Sequence, residues 1–465
     1  MTTTTPPAPP ERRAKSTGAA AAPEPLWRQL QAVAGALQAI RGGQSGTAAL
    51  AAVDAGLRPG VQALLFRVLR HTGRAQALRR QMVARTPPPA ADALLCCALA
   101  LCWNPEDAPY EAFTLVNQTV EAAKRSPAVR AQASFLNACL RRFLREREAL
   151  VAATEADPVA RWNHPRWWIE RLRKDYPQAW QQILQANNDH APMTLRVNVQ
   201  KTTLALYQQA LAAINIDSSP VGEAGLVLRH PVPVTELPGF EAGWVSVQDA
   251  AAQLAAPLLL EGLDLTQPLR VLDACAAPGG KTAHLLERAG AGAALQVTAL
   301  EIDPARSARI HDNLRRLGVA AQVVVADAGQ PQQWWPQHCG GALFDAVLLD
   351  APCSASGIVR RHPDVRWLRR ESDIAQLAGV QARLLAALWP LVRPGGRLLY
   401  CTCSVFRAEG EAQVQTFVAH NTDAQLLPSP GHLIPGNRDK GGPVPDNRPG
   451  DHDGFFYALL QKSPQ

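Results

Sequence analysis

The chain has 465 residues, with 47 Lys and Arg against 40 Asp and Glu; a single hydrophobic core stops growing near about 250 to 300 residues, so two or three domains are expected. A hydrophobic fraction of 47% with 19% charged residues excludes wholesale disorder, a fibrous repeat and an acidic tail protein. The net charge of +7 is unevenly placed: residues 1–160 hold 19 basic and 12 acidic side chains, and residues 161–465 hold 28 of each.

Residues 1–24, rich in Thr, Pro and Ala, have no periodicity and read as a disordered leader without the apolar core of a signal peptide. From Leu26 to about Leu150 the apolar spacing is helical, as in WRQLQAVAGALQAI, ALLCCALALCW and VRAQASFLNACLRRFLRERE. Breaks fall at Gly42-Gly43, Pro59-Gly60, Pro87 to Pro89 and Ser126-Pro127. An all-α domain over 25–155 is expected. Its longest uncharged apolar run, around Ala93 to Trp103, suits a buried helix rather than a membrane span. The last long helix should bury Phe135, Ala138, Cys139 and Phe143 and turn Arg130, Arg141, Arg142, Arg145 and Arg147 outward. A charged helix face is by default a solvated one, but the regional excess of +7 moves the reading toward phosphate binding.

Residues 161–240 differ in texture, with RWNHPRWWIERLRKDYPQAW, LRVNV at 195–199, a helical stretch near Leu204 to Ile214 and GLVLRH at 225–230, and read as a small α+β region. From about Trp244 strand and helix alternate. The strands are LRVLDAC (269–275), QVTALEID (296–303), QVVVAD (322–327), FDAVLLDAPC (344–353) and GGRLLYCTCS (395–404). Apolar strands separated by helices indicate an α/β, doubly wound parallel sheet, which binds ligands at the carboxyl ends of its strands.

The first of these strands runs into DACAAPGGKT, a glycine turn that opens a helix. Gly280-Lys281-Thr282 ends like a P-loop, but that motif needs a glycine at 275, where Cys275 stands, and no G-x-G-x-x-G is present. Glu301 closes the second strand, where a carboxylate can accept both hydroxyls of a ribose, and Asp327 closes the third, where one can meet an adenine amino group. Such residues can be plain helix caps. Three in register, Asp273, Glu301 and Asp327, favour an adenosyl ligand.

Nine cysteines, an odd count without paired CxxC spacing, read as reduced thiols with no metal site. Cys96, Cys97, Cys102 and Cys139 fit buried hydrophobes. Cys353, in Asp350-Ala351-Pro352-Cys353-Ser354, and Cys403, in Cys401-Thr402-Cys403-Ser404, instead reach strand ends beside the expected pocket. Cys401 shares the side of Cys403 but lies deeper, and reads as core. Paired strand-end thiols fit one chemistry well. The C5 carbon of a cytosine accepts a methyl group from a sulfonium donor only after a thiolate has added at C6, and a second cysteine can assist the elimination that follows. A carboxylate near N3, the role read for Asp350, answers the charge that develops on the ring. Spacing leaves open which cysteine attacks.

DACAAPGGKT, DAPCSASG and TCS together resemble the two-cysteine RNA cytosine-5 methyltransferases, the family of the Nop2 and Sun proteins. So do Val247-Gln248-Asp249, the stretch Gly357 to Pro363 with Arg360, Arg361 and His362, and the closing Asp453 to Tyr457. The AxxFLNACLRRFLRE segment resembles a NusB-like RNA-binding domain, a combination similar to the bacterial branch that methylates cytosine 967 of 16S ribosomal RNA. Leu195-Arg196-Val197-Asn198 matches that family's small RNA-recognition-like insert.

The resemblance implies a Rossmann-like S-adenosylmethionine-dependent methyltransferase domain over 241–465, the NusB-like domain over 25–155 and the small insert over 161–240. It implies S-adenosyl-L-methionine held by Cys275, Ala276, Ala277, Pro278, Gly279, Gly280 and Lys281 and by Glu301, Asp327 and Asp350. Cys403 is then the nucleophile and Cys353 serves product release, with Asp350 and Lys281 beside them. Glu301 stands where relatives often have Asp, and Cys401 where a small residue is usual. The implied partner is 16S ribosomal RNA or a small-subunit precursor, bound by a cytoplasmic monomer with no metal and no membrane. Two other functions fit parts of the pattern: a non-catalytic RNA-binding assembly or antitermination factor, and a cytosine-5 methyltransferase acting on another RNA or on DNA.

Overall fold

The computed structural model describes residues 24–290, 294–436 and 451–464. The leader expected over 1–24 lies outside them, Glu24 apart.

The N-terminal part is helical from Leu26 to Ala152. Its hub is the helix Pro89–Cys102, in which every residue from Ala91 to Cys102 is buried. A helix apolar on all sides is stable only when neighbours cover it on all sides, and Leu26–Arg41, Thr72–Met82 and Ala112–Arg125 pack around it. The one charge it carries inward, Asp92, is answered by Arg41 at 2.9 Å and Arg79 at 3.0 Å. Cys96, Cys97 and Cys102 are fully enclosed, and burial raises all three thiols, Cys102 to about 12.

The helix Ala133–Ala152 buries Leu136, Cys139, Leu140 and Phe143. Ala138, expected inside, is exposed and Phe135 is half-buried. The buried stripe follows the i, i+3, i+4, i+7 spacing from Leu136, which rotates the core face away from Ala138. Arg130, Arg141 and Arg145 are exposed as expected. Arg142 pairs with Glu146 at 2.9 Å, and Arg147 folds back over the Phe143 ring.

Four antiparallel strands follow: β1 (Thr194–Val197), β2 (Ser218–Val221), β3 (Gly225–Leu228) and β4 (Val245–Val247), in the order β2-β3-β1-β4. Leu195, Val197, Leu226, Leu228 and Val245 join Tyr207 and Leu211 of the helix Leu204–Ala212 in one core. Because β4 pairs with β1, the small sheet extends past residue 240, where the sequence texture places its end.

The larger sheet contains β5 (Leu269–Asp273), β6 (Leu295–Glu301), β7 (Gln322–Val325), β8 (Phe344–Asp350), β9 (Val392–Thr402), β10 (Ala424–Leu426), β11 (Gly431–Leu433) and β12 (Phe455–Lys462). Its order is β10-β12-β9-β8-β5-β6-β7, with β11 also on β12; β7 through β9 are parallel and β12 is antiparallel to β9. Both faces are covered. On β8 and β9, Val347, Leu349, Leu398 and Tyr400 enter one core, and Ala346, Leu348, Leu399 and Cys401 enter the other. This alternation between two buried faces explains why these strands are apolar throughout.

The parts lock together through buried polar contacts. The Gly46 N–H donates to Asp364 at 2.8 Å, Arg70 donates to the Arg360 carbonyl at 2.8 Å, and Trp367 donates to the Leu69 carbonyl at 2.8 Å. Arg196, on the face of β1 opposite the small core, donates from Nε and Nη2 to both carboxylate oxygens of Glu287 at 2.9 Å, and from Nη1 to the Gly280 carbonyl at 2.8 Å. Arg196 is 1% exposed and Glu287 2%. Breaking such a pair strands a buried charge, so Glu287→Ala should cost about 3 to 5 kcal/mol in urea unfolding. A loss below about 1 kcal/mol would mean that the interdomain pair contributes little.

Candidate active site

β5 ends at Asp273, and the chain turns through Cys275 to Gly279 into the helix Gly280–Ala289. The turn is stitched to its neighbours: the Ala274 N–H donates to Leu348 O at 2.9 Å and the Ala276 N–H to Leu300 O at 2.8 Å. Asn313 donates to Pro278 O at 2.7 Å. Gly279 has φ +94°, and a Cβ there would press on Ile310 at 3.1 Å, so both the left-handed backbone and the space require glycine.

Around the turn stand the expected carboxylates. Glu301, 3% exposed, accepts the Asp303 N–H at 3.1 Å and lies 3.5 Å from Arg306. Asp327 sits two residues past the end of β7 rather than on it, and accepts the Gly329 N–H at 2.8 Å and the Gln330 amide at 3.1 Å. Asp273 is buried; its Oδ2 takes the Thr282 hydroxyl at 2.6 Å, while Oδ1 is buried without a hydrogen-bond partner among the described residues. A helix N-terminus, an unsatisfied buried carboxylate oxygen and two further acids suit a ligand with ribose hydroxyls, an amino group and a cationic end.

The reactive groups gather where β5, β8 and β9 end. Lys281 Nζ lies 2.5 Å from Asp350 Oδ2 and over the Phe455 ring. The Cys401 thiol donates to Asp350 Oδ1 at 3.6 Å. It is fully buried, as expected, and also helps hold that carboxylate. Cys353 and Cys403 face each other with sulfurs 3.4 Å apart.

The electrostatics differ from group to group. Burial alone would lower the Lys281 ammonium, but Asp350 and the sulfurs of Cys401 and Cys403 override it and raise its pKa. The Cys353 thiol is raised by its hydrogen bond with Cys403, by burial and by the charge of Glu409. Cys401 and Cys275 are raised chiefly by burial, with Asp350 adding to both.

The structure thus brings Cys275 to Lys281, Glu301, Asp350, Cys353 and Cys403 into one region at the carboxyl edge of the sheet, with Asp327 just outside β7. Sequence reasoning missed the scaffold behind the cysteines. Glu409 is 0% exposed and accepts the Ser354 N–H at 2.7 Å, the Ser354 hydroxyl at 2.5 Å and the Ser404 hydroxyl at 2.6 Å. Ser356 adds contacts to Ser404 at 2.9 Å and to the Val405 N–H at 3.0 Å. Arg360 and Arg361 do not reach the pocket as free cations: Arg360 binds Asp453 and Asp451 at 2.6 Å each, and Arg361 binds Asp453 and, at 2.8 Å, Asp249. No sequence pattern marks Glu409, since Glu411 two residues on looks the same and is paired with Arg407 on the surface.

Residues 261–461 match the family model described as 16S rRNA methyltransferase RsmB/F, and residues 164–235 match the RsmF/B-like ferredoxin-like domain. The chain is 45% identical over 357 residues to ribosomal RNA small subunit methyltransferase B of Vibrio cholerae serotype O1, across 76% of this chain and 77% of that protein. The solved structure of PH0851, 24% identical, superposes with a TM-score of 0.71 over 93% of this chain and 99% of that one, a likeness of fold. A methyltransferase homolog protein from Pyrococcus horikoshii, 26% identical, has a TM-score of 0.52 over 66% of this chain and 98% of that one.

Burial pushes the Asp273 carboxyl up to about 7 against the Thr282 hydrogen bond. The folded chain then keeps a proton that the unfolded chain releases above about 3.9. Asp273 therefore contributes stability in full below that value and loses it as pH rises toward 7. Asp273→Asn should flatten the fall in urea-unfolding stability between pH 4 and 7. An unchanged slope would locate the proton elsewhere.

Proposed function

The chain belongs to the 16S rRNA methyltransferase RsmB/F family and is an S-adenosylmethionine-dependent rRNA cytosine-5 methyltransferase; we propose that its target is cytosine 967 of 16S rRNA, attacked by Cys403 and released with the help of Cys353. The observation that carries the two-cysteine chemistry is the pair of sulfurs 3.4 Å apart at adjacent strand ends, beside Lys281 and Asp350; the family pattern supplies which of the two attacks. S-adenosylmethionine supplies the methyl group when bound. The turn Cys275 to Lys281, Glu301, Asp327 and Asp350 would hold it.

Cys403 is the nucleophile on the family pattern, and the thiolate is the attacking form. The Lys281 cation lies close enough to feel the Cys403 sulfur. As the Cys403 sulfur bonds to C6, the C5–C6 π pair localises on C5, and the charge that spreads to the N3 side of the ring is neutralised by a proton that Asp350 passes on from the Lys281 ammonium paired with it. Once C5 carries its methyl, the C5 proton passes to the Cys353 sulfur while the proton of that thiol passes to Cys403. The C5–H pair restores the C5–C6 double bond and the C6–S bond breaks. A thiol held strongly protonated is a strong base once its proton has moved on, which suits Cys353 to both halves of this exchange.

The RNA is gripped in part by the helical domain, where Arg130, Arg141 and Arg145 are exposed. The substrate is 16S rRNA or an assembling small-subunit precursor, and the enzyme acts as a cytoplasmic monomer. Such an enzyme must take its base from a loop or flip it from a stack.

Cys403→Ala should abolish methylation, whereas Cys353→Ala should accumulate a denaturant-resistant protein–RNA adduct. An adduct with Cys403→Ala instead would reverse the roles. Bisulfite sequencing of 16S rRNA with and without the protein should report cytosine 967, and a different position would overturn that target. RNA binding without methyl transfer by the purified protein would favour an assembly factor. Replacing Arg130, Arg141 and Arg145 together by Ala should weaken binding and reduce the slope of log affinity against log salt by about 0.7 to 0.9 for each phosphate that is no longer neutralised. An unchanged slope would make that helix face merely solvated.

A further inference from the structure

We propose that Glu409 is the positioning residue of the release step, holding the loops that follow Cys353 and Cys403 in one fixed pair; this rests on the two-cysteine reading above. The residue after each cysteine is a serine, and the hydroxyls of Ser354 and Ser404 both donate to the Glu409 Oε2 oxygen, at 2.5 and 2.6 Å. Its Oε1 oxygen takes the Ser354 backbone N–H at 2.7 Å. One carboxylate thus ties the chain after β8 to the chain after β9.

Glu409 is itself anchored from other elements. Its carbonyl accepts the Tyr400 hydroxyl at 2.8 Å. Gln381, on the helix Glu371–Leu388, donates to Glu409 Oε1 at 3.3 Å and to the Pro352 carbonyl at 3.0 Å, so the same amide holds the residue before Cys353. Glu409 and Gln381 are both 0% exposed. Among the described residues no cation contacts the Glu409 carboxylate: it is satisfied by hydroxyl, amide and backbone donors, an arrangement whose geometry is rigid because losing any donor is costly.

The consequences for the two sulfurs are specific. The two serines that share Glu409 hold the chain directly after each sulfur, and the negative charge contributes to keeping the proton on Cys353. Attack by Cys403 needs only that sulfur, whereas release needs both at contact distance. Loss of the Glu409 carboxylate should therefore slow release most.

The test compares Glu409→Gln, which keeps the shape and removes the charge, with Glu409→Asp, which keeps the charge. Wild type and both variants are measured with a 16S rRNA fragment and S-adenosylmethionine. In Glu409→Gln, kcat should fall about tenfold or more with kcat/KM for RNA within about threefold, while denaturant-resistant protein–RNA adduct accumulates as in Cys353→Ala. Glu409→Asp should recover part of kcat and form less adduct. If kcat falls without adduct, or if neither changes, the proposal is overturned. Binding of an S-adenosylmethionine analogue reports folding. Should Glu409→Gln lose that binding, the double variant Ser354→Ala with Ser404→Ala carries the same adduct readout, and absence of adduct there overturns the proposal. Failure of the wild type to methylate RNA would instead overturn the underlying reading.

Discussion

A charge held largely away from water must be answered where it stands, and the Lys281 ammonium and Asp350 carboxylate at 2.5 Å meet that demand at the carboxyl edge of the sheet. Lys281 opens the helix after β5 and Asp350 ends β8, so their contact sets the carboxyl ends of two neighbouring parallel strands against each other. Cys401 on β9 donates to the same carboxylate, and Phe455 on β12 presents its ring to the same ammonium. Four strands are thereby committed to one geometry. Removing either charge would leave the other, half-buried, without its partner.

The strands that build this edge were legible because each is an apolar run, closed by an acid in β5, β6 and β8, and parallel strands covered on both faces have that composition. The residues at their ends were legible because strand ends in such sheets are where ligands bind. What escaped was set by contacts remote in sequence. β4 carries no signal that separates it from the following region; only its pairing with β1 assigns it. Ala138 has the right chemistry for a core, but the phase of its helix is fixed by Leu136 and Phe143. Cys401 reads as an inert core thiol, and nothing along the chain reveals that Asp350 lies within reach. Glu409 and Glu411 are indistinguishable as letters.

The charge count has a similar lesson. Arg196, Arg360 and Arg366 are among the largest fully buried side chains, and each is occupied inside the protein. Arg360 and Arg361 close on Asp249, Asp451 and Asp453, and Arg366 donates to the Asn163 and Asn187 carbonyls and to the Asn188 side chain. The balanced charge of residues 161–465 is thus partly structural glue. The arginines free to meet phosphate there are fewer than composition suggests.

β12 has a bearing on how the protein is made. It lies between β9 and β10, and Asp453 just before it is bound by both Arg360 and Arg361. Where Gly454 passes Gly357, a Cβ on Gly357 would meet the Gly454 carbonyl at 1.9 Å, and the Gly357 N–H donates to the carbonyl of Cys403. Arg361 and Asp453 are 92 positions apart. At about 5 to 20 residues per second a ribosome needs roughly 5 to 20 s to cross that interval. Throughout it, a nascent chain holds Arg360 without either of its acidic partners, Arg361 with Asp249 alone, and a β9 edge awaiting its neighbour. Synthesis order therefore acts as a timer: the cofactor turn and both cysteines emerge first, and the loop behind Cys403 acquires its backing only when the closing strand arrives.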